Sequence, residues 1–151
     1  MLPLHHLIYQ SQATEAFSVA QLREQLVRYR HFNAAHGLTG ILLYMPNGQL
    51  MQLLEGETQT VASLFYDRIV HDARHFDIRV LSEGPWARRS FPAWTMAFVA
   101  PEPDNLQAET GFQELSALRE LLPRLAPGRP GLVHLLLEFI EQHENPPKRF
   151  R

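Results

Sequence analysis

The sequence contains no cysteine among its 151 residues. Disulfide bonds, thiolate metal ligands and cysteine nucleophiles are therefore excluded, and a reducing compartment such as the cytoplasm is compatible with this composition. Neither sign of charge dominates, since 14 basic side chains stand against 16 acidic ones. Domains that bind nucleic acid usually carry a basic stripe, so nucleic acid is not an expected partner.

Long apolar runs are also absent. The longest, near Leu132–Ile140, is too short to cross a bilayer and is interrupted by His134 and Glu138. The first residues, Met1–His6, lack the basic and apolar segments of a signal peptide. We therefore expect a cytoplasmic protein with no membrane partner. The 45% hydrophobic content is sufficient for the core of one domain.

Familiar catalytic motifs are missing as well. There is no Gly-rich phosphate loop, nucleophile elbow or catalytic pair of carboxylates. The segment Ser11–Thr14 has no Arg or Gly to cradle an anion, which disfavours a small phosphatase. His71 and His75 have i,i+4 spacing, but the glutamate of an H-E-x-x-H helix is absent. We expect neither an enzyme nor a metal site.

Hydrophobic periodicity and turn signals predict the order β-α-β-β-α-β-β. The helices are expected at Ser18–Phe32, where Ser18 and Gln21 have capping-box spacing, and at Thr58–Asp72, with Thr58 as the N-cap. Pro46-Asn47-Gly48 predicts a hairpin turn. The predicted strands are Leu4–Gln10, Gly40–Met45, Gln49–Glu55, Asp77–Glu83 and Ala93–Val99.

This order predicts an α+β fold, a ferredoxin-like frame with one added strand. We expect a five-stranded mixed sheet in which the first and third strands are parallel central neighbours and both helices cover one face. Leu50–Leu54 is apolar on both faces and needs two covering layers. Helical patterns at Phe112–Leu122 and Leu132–His143 are expected to cap the second face. Residues 1–100 would form the core domain and residues 101–151 the cap and tail.

Gln52 is a polar residue in the middle of that apolar run. A buried amide costs about 1–3 kcal/mol when it is left unpaired. Tyr9 is a comparable residue in the first strand, and strand alternation places it on the same face as Leu7. The same alternation places Gln52 with Leu50 and Leu54. If the two strands are neighbours, a phenol and an amide meet inside an apolar layer, either as a ligand site or as a structural hydrogen bond.

Further polar residues have both a functional and a structural interpretation. Asn33 follows the first predicted helix and is either a ligand contact or a C-terminal cap. Arg68 and Asp72 are one helical turn apart and are either site residues or a surface ion pair. Trp94 and Met96 alternate on the fifth strand, which by itself indicates only an apolar strand face.

Taken together, these residues resemble the BLUF family, the blue-light sensors that use FAD. The combination is specific, although each piece alone is not, and it covers roughly the first hundred residues in family order. The remaining third resembles the helical cap of short, single-domain members. The matching segments are Leu7–Ser11, Asn33–Gly40, Gln52–Gly56, Arg68–His75 and Arg89–Met96.

The resemblance implies a site between the two core helices that binds FAD non-covalently. Tyr9 and Gln52 would form the light-responsive pair beside the isoalloxazine ring. Asn33, together with Arg68 and Asp72, would hold the polar edge of the ring and the ribityl region. In the family, light moves an electron and a proton from the tyrosine to the flavin and back, and the glutamine amide changes its hydrogen bonding.

The resemblance also implies a route for the signal. Ile69 would pack on the flavin ring, and Trp94 and Met96 would lie on the output strand. No output domain is recognisable in the sequence. We therefore expect the signal to reach a separate downstream protein partner through the cap helices or through the contacts of a homo-oligomer.

The sequence departs from the family pattern at three positions on the first helix. Phe32 stands where a polar residue is usual, Gln25 replaces an aliphatic residue, and Tyr29 replaces a small one. Phe32 would stack on the ring or cover it, and Gln25 and Tyr29 would narrow the slot. The alternative function is therefore a flavin-free BLUF-like scaffold that acts as a protein-interaction module.

Overall fold

The computed structural model describes residues 3–15, 18–45, 47–91, 94–98, 112–114, 120, 122–124 and 128–144. The fold is α+β, as predicted, and the predicted strands and core helices are found within a few residues of their expected bounds. The elements in chain order are β1 (Leu4–Ala13), α1 (Val19–Ala35), β2 (Thr39–Tyr44), β3 (Gln49–Glu57), α2 (Thr58–Ala62) with a π-helical continuation (Ser63–Ile69), β4 (His75–Pro85), β5 (Trp94–Phe98), β6 (Phe112–Glu114) and α3 (Pro130–Glu144).

The strands form one mixed sheet with the order β4-β1-β3-β2-β5-β6. β1 pairs with β3 as predicted, but the two strands are antiparallel, so the predicted parallel pairing is wrong. Because α1 returns the chain to the end of the sheet where β1 began, β1 and β2 run in the same direction. The hairpin after β2 then reverses β3 relative to both. β5 runs parallel to β2 on the other side.

A sixth strand extends the five-stranded sheet that was predicted. Phe112–Glu114 pairs with β5 as β6, so the expected helix at Phe112–Leu122 is wrong at its beginning, although residues 122–124 are helical. The backbone of β5 would otherwise present unpaired N–H and C=O groups at a sheet edge. Pairing these groups outweighs the weak local preference of three residues for helix.

α3 confirms the second predicted cap helix, with bounds two residues before and one residue beyond Leu132–His143. It is the most apolar long helix in the described part of the chain, and it packs against the sheet. None of the helices that the structure describes is long and apolar enough to cross a membrane.

The sheet is covered on both faces, as the apolar run in β3 predicted. One face packs against the core helices; its cluster includes Leu7, Tyr9, Leu42, Leu50 and Leu54 of the sheet with Tyr29, Phe32, Val61, Phe65 and Ile69 of the helices. The other face packs against α3; its cluster includes Ile8, Ile41, Leu43, Met51 and Leu53 with Leu132, Leu136, Phe139 and Ile140. The two faces therefore have separate cores and separate covering layers.

The two core helices begin differently. Ser18 and Gln21 form the predicted capping box at α1. The cap of α2 is Glu57 and not Thr58, because β3 continues to Glu57 and its carboxylate accepts the backbone N–H groups of Gln59 and Thr60 at 3.1 and 3.0 Å. The helix then widens into a π-helix and ends at Ile69, three residues before the predicted end.

Candidate ligand-binding site

Tyr9 and Gln52 lie directly opposite each other on β1 and β3. The Tyr9 hydroxyl donates a hydrogen bond to Oε1 of Gln52, and both side chains are buried. The Tyr9 ring also contacts Phe65 of the π-helical segment, with 5.1 Å between ring centroids. The phenol and the amide therefore meet inside the apolar layer, as strand alternation predicted.

Burial controls the protonation of this phenol. It raises the pKa of Tyr9 far above the ordinary value, and the nearby Tyr29 and Asp72 raise the pKa further. The hydroxyl therefore keeps its proton near neutral pH and acts as the donor toward Gln52. This fixes the direction of the hydrogen bond, since the amide oxygen can only accept.

A cavity of about 370 Å³ lies over this pair, between the sheet and the walls formed by α1 and the π-helical segment. Its size falls within the range of about 300–1,000 Å³ that is usual for small-molecule sites. Every residue predicted for the light-responsive pair and for cofactor binding lines it. The lining residues are Tyr9, Gln25, Arg28, Tyr29, Phe32, Asn33, Leu42, Leu50, Gln52, Leu64, Arg68, Ile69, Asp72, Arg74 and His75.

One face of α1 forms a wall of the cavity. Gln25, Tyr29, Phe32 and Asn33 occupy positions i, i+4, i+7 and i+8 of the helix and therefore lie on the same side of it. Asn33 is buried in the last turn of α1, and the C-cap is His36, so the interpretation of Asn33 as a cap after the helix is wrong. The three departures from the family pattern therefore do lie at the cavity.

The π-helical segment forms the opposite wall. Its i→i+5 hydrogen bonding, seen from the Val70 amide to the Phe65 carbonyl at 2.9 Å, brings residues five apart onto one side. Leu64 and Ile69 line the cavity together for this reason. The Arg68 guanidinium also reaches the cavity, with its central carbon 5.2 Å from the centroid of the Phe32 ring.

Asp72 forms its ion pair with Arg74, at 2.6 Å, and not with Arg68. The helix ends at Ile69, so the i,i+4 geometry on which the Arg68–Asp72 interpretation depended does not continue to residue 72. Hydrogen bonds from Arg74 hold the pKa of Asp72 below its ordinary value. Arg68 therefore lines the cavity without an ion pair to Asp72.

Three polar lining residues, Arg28, Arg74 and His75, were not predicted as site residues. Arg74 lies in the turn after the helix, where hydrophobic periodicity assigns no face, and His75 is the first residue of β4. His75 forms hydrogen bonds to Ser11 Oγ at 2.8 Å and to the Ile69 carbonyl at 2.6 Å, and thus connects β1 to the end of the π-helical segment. Among the residues that the structure describes, no cluster of metal-ligating side chains is present.

The side chains of Trp94 and Met96 lie outside the described residues, so their predicted role in output stays a prediction. The backbone pairing of β5 with β2 lies within the described residues. Leu42 of β2 pairs with Gln52 on one side and with Met96 on the other. Met96 is therefore at the level of the Tyr9–Gln52 pair but is separated from Gln52 by strand β2.

A cavity with a buried Tyr–Gln pair at its base and two helices as walls defines a small-molecule-binding α+β domain. The family model described as "Sensors of blue-light using FAD" (BLUF) matches residues 4–97. The chain therefore belongs to the BLUF family, and the matched region is a blue-light sensor domain of a flavin-binding family.

Known proteins with similar sequences and structures include large light-regulated proteins. The chain is 36% identical over 97 residues to photoactivated adenylate cyclase subunit beta of Euglena gracilis. The aligned residues make up 64% of this chain and 11% of that protein. This chain therefore spans only a small part of that relative. BlrB, a BLUF protein in its dark state, is 30% identical with a TM-score of 0.64, over 94% of this chain and 98% of that one.

A second solved structure is BlrP1 of Klebsiella pneumoniae with FMN and cyclic diGMP. It is 30% identical to this chain with a TM-score of 0.68, over 91% of this chain and 34% of that one. This neighbour contains FMN, whereas the family description names FAD. FAD and FMN are both flavins, so members of the family bind flavin.

Proposed function

We propose that this chain is a blue-light photoreceptor that binds FAD non-covalently and switches through Tyr9 and Gln52. The observation that carries this proposal is the buried hydrogen bond between the two side chains at the base of the cavity. An apolar layer contains such a pair only when the two groups satisfy each other or a ligand. The hydrogen-bonded pair supports the proposed switch, and the cavity has room for a ligand beside it.

The lining of the cavity suits a flavin. Asn33 is buried and can supply an amide to the polar edge of the ring, and Arg68 supplies a cation at the entrance. Ile69 supplies an apolar surface for the ring. A second cavity of about 370 Å³ shares Phe32, Leu64 and Arg68 with the first and extends past His36 and Ser63. It offers room for the nucleotide part of FAD.

The proposed switch depends on the proton of Tyr9. A bound flavin would supply the absorption of blue light and the acceptor for the electron and proton of the phenol. Because burial strongly disfavours the phenolate, we propose that Tyr9 does not lose its proton before its electron; it gives up both to the flavin and later recovers both, so there is no net redox change. The phenolic proton lies along the hydrogen bond to Oε1 of Gln52. Reorientation or tautomerisation of the Gln52 amide then rewires this network without a large motion.

The function is tested by reconstitution of purified protein with FAD, followed by gel filtration and absorption spectroscopy. We expect a yellow protein whose absorption shows a small, reversible red shift under blue light. Extraction of the bound chromophore distinguishes FAD from FMN. Protein that stays colourless after excess FAD and excess FMN would contradict the proposal and support the scaffold function.

The alternative, a flavin-free BLUF-like scaffold, is favoured by one specific feature of α1. Phe32 stacks on His36, with 4.0 Å between the ring centroids, and lies under the Arg68 guanidinium. The aromatic side chain thus occupies a place at the cavity where a polar residue is usual in the family. If this stack persists with ligand present, it narrows the entrance and weakens flavin binding.

The proposal also concerns the fold, the regions of the chain and the location. We propose that β1 to β4 and the core helices form a ferredoxin-like unit. We further propose that residues 1–100 form the core domain, that residues 101–151 form the cap and tail, and that the protein is cytoplasmic. The matched region is a sensor domain and covers only 11% of the photoactivated adenylate cyclase subunit, which supports a sensor that acts on an effector and is not itself an enzyme. We propose a separate downstream protein partner and a homo-oligomer. Light scattering of purified protein in the dark and under blue light tests the oligomer.

A further inference from the structure

The carboxylate of Glu55, near the end of β3, is fully buried and accepts four hydrogen bonds. The backbone N–H groups of Ser90 and Phe91 donate to it at 2.5 and 3.0 Å. The indole N–H of Trp86 donates at 2.8 Å, and the Thr39 hydroxyl donates at 3.3 Å. Glu55 therefore ties β3 to residues 86–91, the connection between β4 and β5.

Arg89 attaches the same connection to the sheet a second time. Its guanidinium donates to the backbone carbonyl of Glu55 at 3.1 Å and to the Thr39 hydroxyl at 2.9 Å. It also donates to the Gly37 carbonyl at 2.7 Å, in the turn between α1 and β2. With six hydrogen bonds to Glu55, Thr39 and Gly37, residues 86–91 are expected to follow any displacement of the end of β3.

The ring of Trp86 connects this segment to the helix on the other face of the sheet. The central carbon of the Arg129 guanidinium lies 3.3 Å from the centroid of the Trp86 ring, and Arg129 donates to the Arg88 carbonyl at 3.0 Å. Arg129 immediately precedes α3, and its own carbonyl accepts the amide of Val133 in the first turn. His6 of β1 also stacks on Trp86, with 3.8 Å between ring centroids.

We propose that the contact between Trp86 and Arg129 is the joint that holds the beginning of α3 to the sheet, and that Trp86 is a positioning residue that transmits movement of β3 to α3. Gln52 and Glu55 lie on the same strand, three residues apart, and Glu55 holds the Trp86 indole directly. The holding role is independent of light. The transmitting role rests on the proposed function, because it needs a light-driven change at Gln52.

The holding role is tested in the dark by hydrogen exchange of the whole chain. Arg129→Gln removes the cation over the ring, and Arg124→Gln removes an exposed cation from the segment before α3. We expect amide exchange in the first turns of α3 to rise about 3- to 30-fold in Arg129→Gln only, with Arg129→Lys restoring part of the protection. Equal amide exchange of α3 in Arg129→Gln and Arg124→Gln, or an increase in exchange spread evenly over the sheet, would overturn the holding role of the Trp86–Arg129 contact.

The transmitting role is tested with Trp86→Phe, which keeps an aromatic ring for Arg129 but removes the indole N–H that donates to Glu55. We expect the red shift to persist, the dark exchange of α3 to stay close to that of the wild type, and the light-induced change in α3 exchange to disappear. A light-induced change of unaltered size in Trp86→Phe would overturn the transmission. If the wild type shows no red shift, the proposed photoreceptor function is wrong. The comparison of the Arg129 variants in the dark still tests whether the Trp86–Arg129 contact holds α3.

Discussion

The Tyr9 hydroxyl donates its hydrogen bond to the amide of a residue directly opposite it on the neighbouring strand, Gln52. Directly opposed residues in an antiparallel pair have Cβ atoms about 4.5–5.5 Å apart, so a phenol and an amide meet there without any intervening group. Both side chains are held by the backbone ladder of β1 and β3. A change in this hydrogen bond therefore acts first on β1 and β3, two neighbouring strands in the interior of the sheet.

Tyr9→Phe should abolish the light-induced red shift while flavin binding is retained, because the variant lacks the hydroxyl that supplies the proton and favours loss of the electron. Absorption spectra before and after blue illumination measure this. Tyr66→Phe is the matched control, since its phenol donates to Glu83 at 2.8 Å on the surface. A normal red shift in Tyr9→Phe would exclude the assigned role.

Gln52→Ala should also abolish the red shift, because the switchable amide is removed. The loss of the acceptor should leave the buried Tyr9 hydroxyl without this partner and lower the free energy of unfolding by about 1–3 kcal/mol. Gln49→Ala removes an exposed amide from the same strand and serves as the control. If Gln52→Ala retains both its photoresponse and its stability, the pair has been assigned wrongly.

Asn33→Ala should weaken flavin binding about tenfold or more, because a buried amide at the cavity wall would no longer pair with the polar edge of the ring. Titration of the flavin-free protein with FAD, followed by fluorescence quenching, gives the dissociation constant. Asn47→Ala, in the exposed turn between β2 and β3, should bind as the wild type does. Equal affinities in the two variants would remove Asn33 from the site.

Leu136→Ala should lower the free energy of unfolding by about 2–5 kcal/mol, because its side chain is fully buried in the core between α3 and the sheet. Denaturant unfolding in the dark measures this. His134→Ala changes an exposed residue on the same helix and should shift stability by less than about 0.5 kcal/mol. Similar losses in both variants would contradict the packing of α3 on this face.

The stability of the protein should fall as the pH decreases below 6.5, in part because of His6. Burial lowers the pKa of His6 from its ordinary 6.5, and electrostatic interactions with His5 and Arg129 lower this pKa further, against a hydrogen bond to the Gly84 carbonyl. Since the unfolded chain then binds the proton more readily, this stabilisation is present above pH 6.5 and is lost as the pH falls toward the lower native pKa.

Thermal unfolding of His6→Gln and of the wild type between about pH 5 and pH 8 tests this assignment. His6→Gln should be less sensitive to pH across this range. The stabilisation from Asp72 does not interfere, because its pKa is depressed from 3.8 and its contribution is lost only at more acidic pH. Parallel pH dependences in the two proteins would show that other groups are responsible.

Much of the site was predictable because it depends on short-range periodicity. The faces of Tyr9 and Gln52 follow from alternation along their own strands, and the start of α1 follows from the spacing of Ser18 and Gln21. The resemblance to the family added Asn33, which the structure places at the cavity wall. Its role, like that of the other predicted site residues, stays a prediction.

The sequence by itself determined the order of the core elements, the two apolar faces of β3 and the strand faces on which Tyr9 and Gln52 lie, because these follow from patterns within a few residues. The meeting of the phenol with the amide also required β1 and β3 to pair, which is a long-range contact. The antiparallel direction of β1 and β3 and the addition of Phe112–Glu114 to the sheet edge were decided only by the tertiary structure. So was the choice of Arg74 as the partner of Asp72. In each case the deciding contact is between groups that come together only because other helices and strands end where they do. Local periodicity carries no information about where those elements end.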